Sequence, residues 1–216
     1  MARPSKVVHA TAIAAGAVYG LAMKLSGVSL DTVGKQVVAA LPLAAAVGLV
    51  VWDLWLWRAP GLQRLTRRPR IDGLWATVLD PTNESHIPQG GNRGPIEAYL
   101  VINQTFWTLA VRQLTSESTS DSRAFFWGRR NDARWETVDF LYDNTPRQRH
   151  QARSPRHLGV CQLDPTGRAP DEMSGTYFTD RYTKGDMALT RVDRSHAHAT
   201  FAAARAHAAQ ALAGPS

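Results

Sequence analysis

The segment Met173–Val192 reads MSGTYFTDRYTKGDMALTRV, and its side chains alternate in character with a period of two. Such alternation is typical of a β-strand that has one buried face. Lys184-Gly185 supplies a tight turn within the segment. The pattern therefore predicts two strands, Met173–Arg181 and Asp186–Val192, which pair as an antiparallel hairpin.

Six further strands of the same kind precede this hairpin. They are Ile71–Leu79, Ile96–Gln104, Phe106–Leu114, Arg123–Arg129, Trp135–Asp143 and His157–Leu163. Polar groups separate them, including the predicted loop Thr115–Ser122 and the break at Asn131-Asp132. Because no helical pattern intervenes, we expect antiparallel pairing, and closure would remove the exposed edges of an open sheet. The predicted fold class is all-β, a small eight-stranded antiparallel barrel, with a two-sheet sandwich as the alternative.

Two apolar segments lie upstream of the predicted barrel. Val7–Met23 and Gln36–Trp52 each contain 17 residues without Lys, Arg, Asp or Glu. A membrane-spanning helix needs about 20 apolar residues. Trp52, Trp55 and Trp57 cluster as aromatic residues do at a membrane interface. We therefore expect two transmembrane α-helices, with a signal peptide or a buried helical hairpin as alternatives.

A basic stretch comes after the second apolar segment, with five arginines and no acidic residue between Arg58 and Arg70. By the positive-inside rule, this end and the N-terminus face the cytoplasm. The predicted organisation is a transmembrane hairpin over residues 1–57, a basic juxtamembrane linker over 58–70, a cytoplasmic barrel over 71–193 and an Ala-rich tail over 194–216. The tail is either a surface helix or disordered.

The charge distribution argues against binding to a nucleic acid polymer. The chain has 25 Lys and Arg against 18 Asp and Glu, a formal net charge of +7. The predicted barrel alone has 14 basic and 16 acidic residues, so its net charge is −2. A nucleic-acid-binding domain needs a basic face on its folded part. No such partner is therefore expected.

Signals of catalysis, of a cofactor and of a metal site are missing from the sequence. We find no nucleophile elbow, phosphate-binding loop or dinucleotide fingerprint, so neither an enzyme nor a cofactor is expected. The single cysteine, Cys161, is predicted to be a core residue, and it excludes an intrachain disulfide. His196, His198 and His207 lie in the tail without a carboxylate or cysteine at ligand spacing, so no metal site is predicted.

Seven residues are candidates for binding a ligand inside the barrel, whose interior has room for side chains or one small ligand. They are Arg112, Thr115, Ser118, Tyr142, Tyr177, Thr179 and Arg181. Cationic and hydroxyl groups beside an aromatic ring suit a phosphate whose attached base stacks on the ring. For Arg112 and Arg181 the alternative is an outward orientation, with Glu117 or Asp180 as ion-pair partners.

Several short motifs occur in order along the chain and carry a family resemblance. They are Gly73-Leu74-Trp75, Asn103-Gln104-Thr105, Tyr142-Asp143-Asn144-Thr145-Pro146, His157-Leu158-Gly159 and Gly175-Thr176-Tyr177-Phe178-Thr179-Asp180-Arg181. Together with the paired apolar segments and the basic linker, they resemble the two-transmembrane β-barrel effectors of bacterial CBASS anti-phage systems. The resemblance spans Val7–Val192 and does not cover the tail.

This resemblance implies a function in antiviral defence. A cognate nucleotidyltransferase makes a cyclic dinucleotide, and the cytoplasmic barrel of the effector binds it. The effector then forms a homo-oligomer, and its helices disrupt the lipid bilayer of the inner membrane, which leads to abortive infection. The alternatives are a membrane-tethered, lipocalin-like carrier of a small apolar ligand and a structural membrane anchor without a ligand.

Overall fold

The computed structural model describes residues 6–27, 32–128 and 134–212, which form two compact units. The first unit comprises Met1–Arg64 and Thr105–Thr108, and the second comprises Leu65–Gln104 and Leu109–Ser216. The division after Arg64 falls inside the predicted basic linker.

Two long helices dominate the first unit. α1 spans Lys6–Ser26 and α2 spans Thr32–Leu54. A 3₁₀ turn at Leu56–Arg58 comes next, and a short helix, α3, spans Gln63–Thr66. Among the described residues, no helix combines the length and apolar character that crossing a membrane requires.

The predicted location, a two-helix multi-pass protein of the inner membrane, is wrong by this finding. The prediction rested on charge-free runs of 17 residues, which are short against the roughly 20 residues of a membrane span. The helices reach 21 and 23 residues by including charged residues at both ends of these runs. These charged residues are Lys6, Lys24, Lys35 and Asp53.

Two of the three tryptophans that the sequence placed at a membrane interface, Trp52 and Trp57, form part of a packed aromatic cluster, whereas Trp55 is exposed. The ring centroids of Trp52 and Trp57 lie 5.5 and 6.0 Å from that of Phe106. Trp57 is fully buried, and its indole Nε1 donates to the backbone carbonyl of Asp53 at 2.9 Å. Asp53 is buried as well, and its Oδ1 accepts the backbone N–H of Trp107 at 3.1 Å. Packing within this unit explains the positions of Trp52 and Trp57.

Eight antiparallel strands form the second unit. They are β1 Gly73–Pro81, β2 Ile96–Gln104, β3 Leu109–Thr115, β4 Ser118–Gly128, β5 Thr137–Pro146, β6 His157–Pro165, β7 Glu172–Thr179 and β8 Lys184–Asp193. Each strand pairs with the next along the chain, and β8 pairs with β1, so the barrel is closed. The predicted eight-stranded antiparallel barrel is confirmed, and the sandwich alternative is excluded.

One end of the barrel, where β1 begins, is filled by side chains. Trp75 is fully buried, and its Nε1 donates to the carbonyl of Ile71 at 2.8 Å. Gln104 accepts the N–H of Ile71 and donates to the carbonyl of Pro69, both at 2.8 Å. The apolar core continues from here along the barrel, and it includes Leu100, Val138, Cys161, Leu163 and Leu189. The space available to a ligand therefore lies at the other end.

The turn of the last hairpin lies earlier than the sequence predicts. Lys184-Gly185 begins β8 instead of forming the turn. The chain reverses at residues 180–183, where Tyr182 has a φ of 62°. Thr179 stabilises this reversal, because its Oγ1 accepts the backbone N–H of Thr183 at 3.2 Å.

The hydroxyl-rich run Thr115–Ser122, predicted as a loop, is mostly strand. β3 includes Thr115 and β4 begins at Ser118, so two residues connect them. Composition alone misled here, because hydroxyl side chains are common in turns but also suit an inward-facing polar strand surface. The predicted break at Asn131-Asp132 and the last residue of the predicted strand Arg123–Arg129 lie outside the described residues.

The tail forms helix α4, Phe201–Leu212, which packs on the outside of the barrel. Ala204 and Ala208 are almost fully buried there, in a cluster with Leu74 and Tyr99. Small alanine side chains allow the helix backbone to approach the strands closely. Of the two alternatives for the tail, the structure has the surface helix.

Candidate functional site

A cavity opens at the end of the barrel where β1, β3, β5 and β7 finish. Inward-facing strand residues form its wall. These include Leu79, Pro81, Ile96, Gln113, Thr115, Ser118, Ser120, Tyr142, Asn144, His157, Tyr177 and Thr179. Residues of the connecting segments complete its rim, including Ile87, Glu117, Arg153, Ser154, Arg181 and Thr183.

Six of the seven predicted site residues line this cavity, and one does not. The six are Thr115, Ser118, Tyr142, Tyr177, Thr179 and Arg181. Arg112 lies outside it, with 48% of its side chain exposed, and its Nε donates to Asp121 at 2.6 Å. The assignment of Arg112 to the site is corrected accordingly. Its outward orientation matches the alternative, although the partner is Asp121 rather than Glu117.

Asn144 organises the hydroxyl side of the cavity. Its Nδ2 donates to the Oγ atoms of Ser118 and Ser120, each at 2.9 Å. The hydroxyls of Ser118 and Thr115 lie 3.1 Å apart. The Oδ1 atom of Asn144 is buried and has no hydrogen-bond partner among the described residues. An unpaired buried acceptor of this kind is ready to receive a donor group from a ligand.

Arg181 brings a positive charge to the cavity. Its Nη1 donates to the Oγ of Ser154 at 3.1 Å, while its Nε is buried without a hydrogen-bond partner in the described part of the chain. Burial lowers the pKa of the Arg181 guanidinium, the neighbouring Asp180 raises it, and the net shift is downward. The group nevertheless stays protonated near neutral pH, as arginines in proteins do. It therefore offers donors to an anion.

A second arginine, Arg153, has a structural role at the rim. Its Nη2 forms an ion pair with Glu117, and its Nη1 donates to the carbonyl of Gly90 at 2.9 Å. Glu117 therefore offsets the charge of Arg153.

Tyr142 and Tyr177 supply aromatic surface. Burial raises the pKa of each phenol above its ordinary value, so both stay neutral and keep their hydroxyl protons. Tyr142 lies opposite Gly159 on β6, and Tyr177 lies opposite Gly185 on β8. The Tyr142 ring fills the space that a Cβ atom at Gly159 would occupy, whereas a Cβ atom at Gly185 would meet the backbone of Asp80 and Pro81.

His157, at the start of β6, is a buried member of the cavity wall. Its Nδ1 donates to the carbonyl of Pro155 at 3.0 Å, which leaves Nε2 as an acceptor in the neutral ring. Burial is the main cause that lowers its pKa below the ordinary value. The neutral form is therefore favoured near neutral pH.

Several residues of the wall were missed from the sequence, and two of them could have been found. Asn144 lies two positions after Tyr142 on one strand, and His157 lies two positions before Gly159 on another, so period-two alternation places each on the inner face. Arg153 and Ser154 belong to the irregular segment between β5 and β6, where no periodicity indicates the direction of a side chain.

The cavity combines side chains that can hold a small anionic ligand with flat rings. A guanidinium and several hydroxyls can hold phosphate oxygens, and two tyrosines offer faces for stacking. Apolar side chains also contribute to this cavity, among them Leu79, Ile87 and Ile96.

Comparison with known proteins identifies the kind of receptor. Residues 66–191 match the family model described as Cap15, cyclic dinucleotide receptor domain. The match covers more than half of the chain, so the chain belongs to this family of CBASS effectors. No curated protein matches the chain. The resemblance to CBASS effectors and the prediction of a cyclic dinucleotide ligand are confirmed.

Proposed function

We propose that the open end of the barrel binds the cyclic dinucleotide, and that the barrel acts as a receptor rather than as an enzyme. The observation that carries this proposal is the unpaired guanidinium nitrogen of Arg181, a residue that lines the cavity. Its buried Nε lacks a protein partner among the described residues, and it lies in a cavity that two tyrosines also line. A phosphodiester is the part of the ligand that fits this donor.

The remaining cavity residues provide complementary contacts in this proposal. Tyr142 and Tyr177 stack on the bases, while Thr179 and the hydroxyls around Asn144 contact phosphate or ribose oxygens. The free Oδ1 of Asn144 accepts a donor from a base edge or a ribose hydroxyl. Such a polar contact discriminates strongly between ligands, because a wrong base leaves it unpaired.

The proposal also includes the steps after ligand binding. As the resemblance implies, the ligand-bound protein forms a homo-oligomer, and this leads to disruption of the inner membrane and abortive infection. A ligand drives such assembly only if it binds the assembled state better than the free state. The membrane step does not require a helix of this protein to span the bilayer. Analytical ultracentrifugation with and without ligand tests the assembly step, and dye release from liposomes tests the membrane step.

The binding step is tested by calorimetric titration of the full-length protein with a panel of cyclic dinucleotides. We expect saturable binding of at least one member. Arg181→Ala should weaken that binding by about 10- to 150-fold, since a hydrogen bond to a charged group contributes about 1.5–3 kcal/mol.

Arg112→Ala is the matched control, because it removes the same side chain from the outer surface. An exposed ion pair such as Arg112–Asp121 contributes about 0–1 kcal/mol, and the ligand affinity should change less than about twofold. Equal affinities of the two variants would refute the assignment of the site. If the folded wild-type protein bound no member of the panel, the proposed function itself would be wrong.

A further inference from the structure

Three residues from consecutive segments meet at the edge of the barrel, away from the cavity. Asp193 ends β8, His198 lies between β8 and α4, and His207 lies in the second turn of α4. One possible ligand atom from each lies within 4.8 Å of the other two. His207 Nε2 is 2.5 Å from Asp193 Oδ2, and the rings of His198 and His207 are 4.6 Å apart.

The second observation is a buried nitrogen without a partner. His198 Nε2 has almost no solvent exposure and makes no hydrogen bond within residues 6–27, 32–128 and 134–212. Leaving a buried polar atom unpaired is unfavourable, so native structures usually supply a partner, a water or an ion. His196 also has a buried nitrogen, Nδ1, without a hydrogen-bond partner among the described residues, but its Nε2 lies 3.9 Å from a carboxylate oxygen of Asp72 rather than in this cluster.

We propose that Asp193, His198 and His207 bind a Zn²⁺ ion that attaches α4 to the barrel. Two imidazoles and one carboxylate are a ligand set that zinc accepts, with a water molecule in the fourth position. In a tetrahedral site with metal–ligand distances of about 2.0–2.2 Å, ligand atoms lie about 3.3 Å apart. Atoms within 4.8 Å of one another reach that arrangement by small side-chain adjustments.

The carboxylate is already oriented for this role. Asp193 Oδ1 accepts the backbone N–H of Ser195 at 2.8 Å, which fixes the side chain while Oδ2 faces His207. Such outer contacts orient metal ligands in general. The sequence prediction found no carboxylate at ligand spacing in the tail, because Asp193 belongs to the last strand and the fold brings His207 back to it.

The proposed zinc site is separate from the ligand cavity. Asp193 pairs with Leu74 near the start of β1, whereas Pro81 at the end of β1 lines the cavity. Pro81 is the seventh residue after Leu74 along the extended strand, at a distance of about 23 Å. The zinc proposal therefore does not depend on the proposed function, and failure of either leaves the other standing.

The test is titration of Zn²⁺ into the full-length protein after metal removal, in competition with a chromophoric zinc indicator. We expect one ion per chain with micromolar or tighter affinity. His198→Gln and Asp193→Asn should each weaken binding at least tenfold. His86→Gln is the matched control, because His86 is exposed in the segment between β1 and β2, and it should bind as the wild type does.

Two spectroscopic readouts separate a true site from loose surface binding. Co²⁺ in the same site should give visible d–d absorption bands, which His198→Gln abolishes. Zn²⁺ should also slow amide hydrogen exchange in α4 of the wild type but not of this variant. His198→Gln removes no hydrogen bond of the Nε2 atom, so the fold should persist, as far-UV circular dichroism would verify. Absence of stoichiometric binding, or wild-type affinity in His198→Gln, would overturn the proposal.

Discussion

Gly159 and Tyr142 lie directly opposite each other on β6 and β5, and the tyrosine ring occupies the space of the missing side chain. A Cβ atom at Gly159 would overlap with both Cζ and the hydroxyl oxygen of Tyr142. The resulting separations would be far inside van der Waals contact. Gly159 is therefore required by the position of Tyr142 in the cavity wall.

The first prediction concerns this contact. Gly159→Ala should displace the Tyr142 ring and lower the affinity for the cyclic dinucleotide at least tenfold, while the protein still folds. Extra volume in a packed interior typically destabilises a protein by about 1–3 kcal/mol. Calorimetric titration and urea unfolding measure the two effects.

A control and a double variant test the cause of this effect. Gly167→Ala adds the same methyl group where nothing lies within 4 Å, and it should leave affinity and stability unchanged. In a Tyr142→Ala background, Gly159→Ala should no longer destabilise the protein, because the clash is gone. Additive effects of Tyr142→Ala and Gly159→Ala on the free energy of unfolding would contradict the proposed contact.

The inward positions on β7 could be predicted because its alternation is regular. Tyr177 and Thr179 are buried there, between the exposed side chains of Thr176, Phe178 and Asp180. The assignment of Arg112 to the site rests instead on its position beside the hydroxyl-rich run, which does not indicate the face of the strand on which the side chain lies. The sequence placed the start of its strand at Phe106, whereas β3 begins at Leu109.

The face of the sheet on which a side chain lies depends on the strand register, and a shift of one residue moves every side chain of the strand to the opposite face. Gln113 and Thr115 point inward on β3, so Arg112 points outward.

The proposed zinc site could not be predicted for a different reason. Its carboxylate and His207 belong to different elements, and their proximity depends on how α4 packs on the barrel.

The second prediction concerns the pH dependence of stability. Asp143 is buried on the outer face of β5, where it pairs with Arg156 and Arg123. The hydrogen bond from Arg156 is the main cause that lowers the pKa of Asp143 far below its ordinary value of 3.8. A depressed folded-state pKa stabilises the protein above the unfolded-state pKa, and this stabilisation is lost as the pH falls toward the folded-state value.

Asp143→Asn should therefore destabilise the protein by a constant amount between pH 7 and about pH 5. Below about pH 4, the difference in stability from the wild type should shrink. The reason is that the stabilisation of the folded wild-type protein by the ionised Asp143 carboxylate is progressively lost at this pH. Urea unfolding across this range measures the difference. Asp121→Asn is the control, since its exposed pair with Arg112 should contribute little at any pH. A difference that grew on acidification would contradict the assigned role of Asp143.

The third prediction concerns the reactivity of the single cysteine. Cys161 is 1% exposed inside the barrel, and burial raises the pKa of its thiol. Since the thiolate is the reactive form, the native protein should react with a disulfide reagent at least tenfold more slowly than after unfolding in guanidinium. A Cys161→Ser, Ser116→Cys variant moves the thiol to an exposed position and should react fast in the native state. Equal native rates for the two proteins would show that the barrel interior is accessible.

The fourth prediction concerns the docking of α4. Ala208 is 2% exposed and packs in a cluster with Leu74 and Tyr99, whereas the adjacent Ala209 is exposed. Ala208→Glu places a charge in this apolar contact, so α4 should detach while the barrel stays folded, because burial of an unpaired charge is strongly unfavourable. Amide hydrogen exchange should then accelerate in α4 at least tenfold and remain unchanged in β5 and β6. Ala209→Glu carries the same change in composition on the exposed face and should exchange as the wild type does. Equal protection of α4 in both variants would mean that this helix is not held by its buried alanine face.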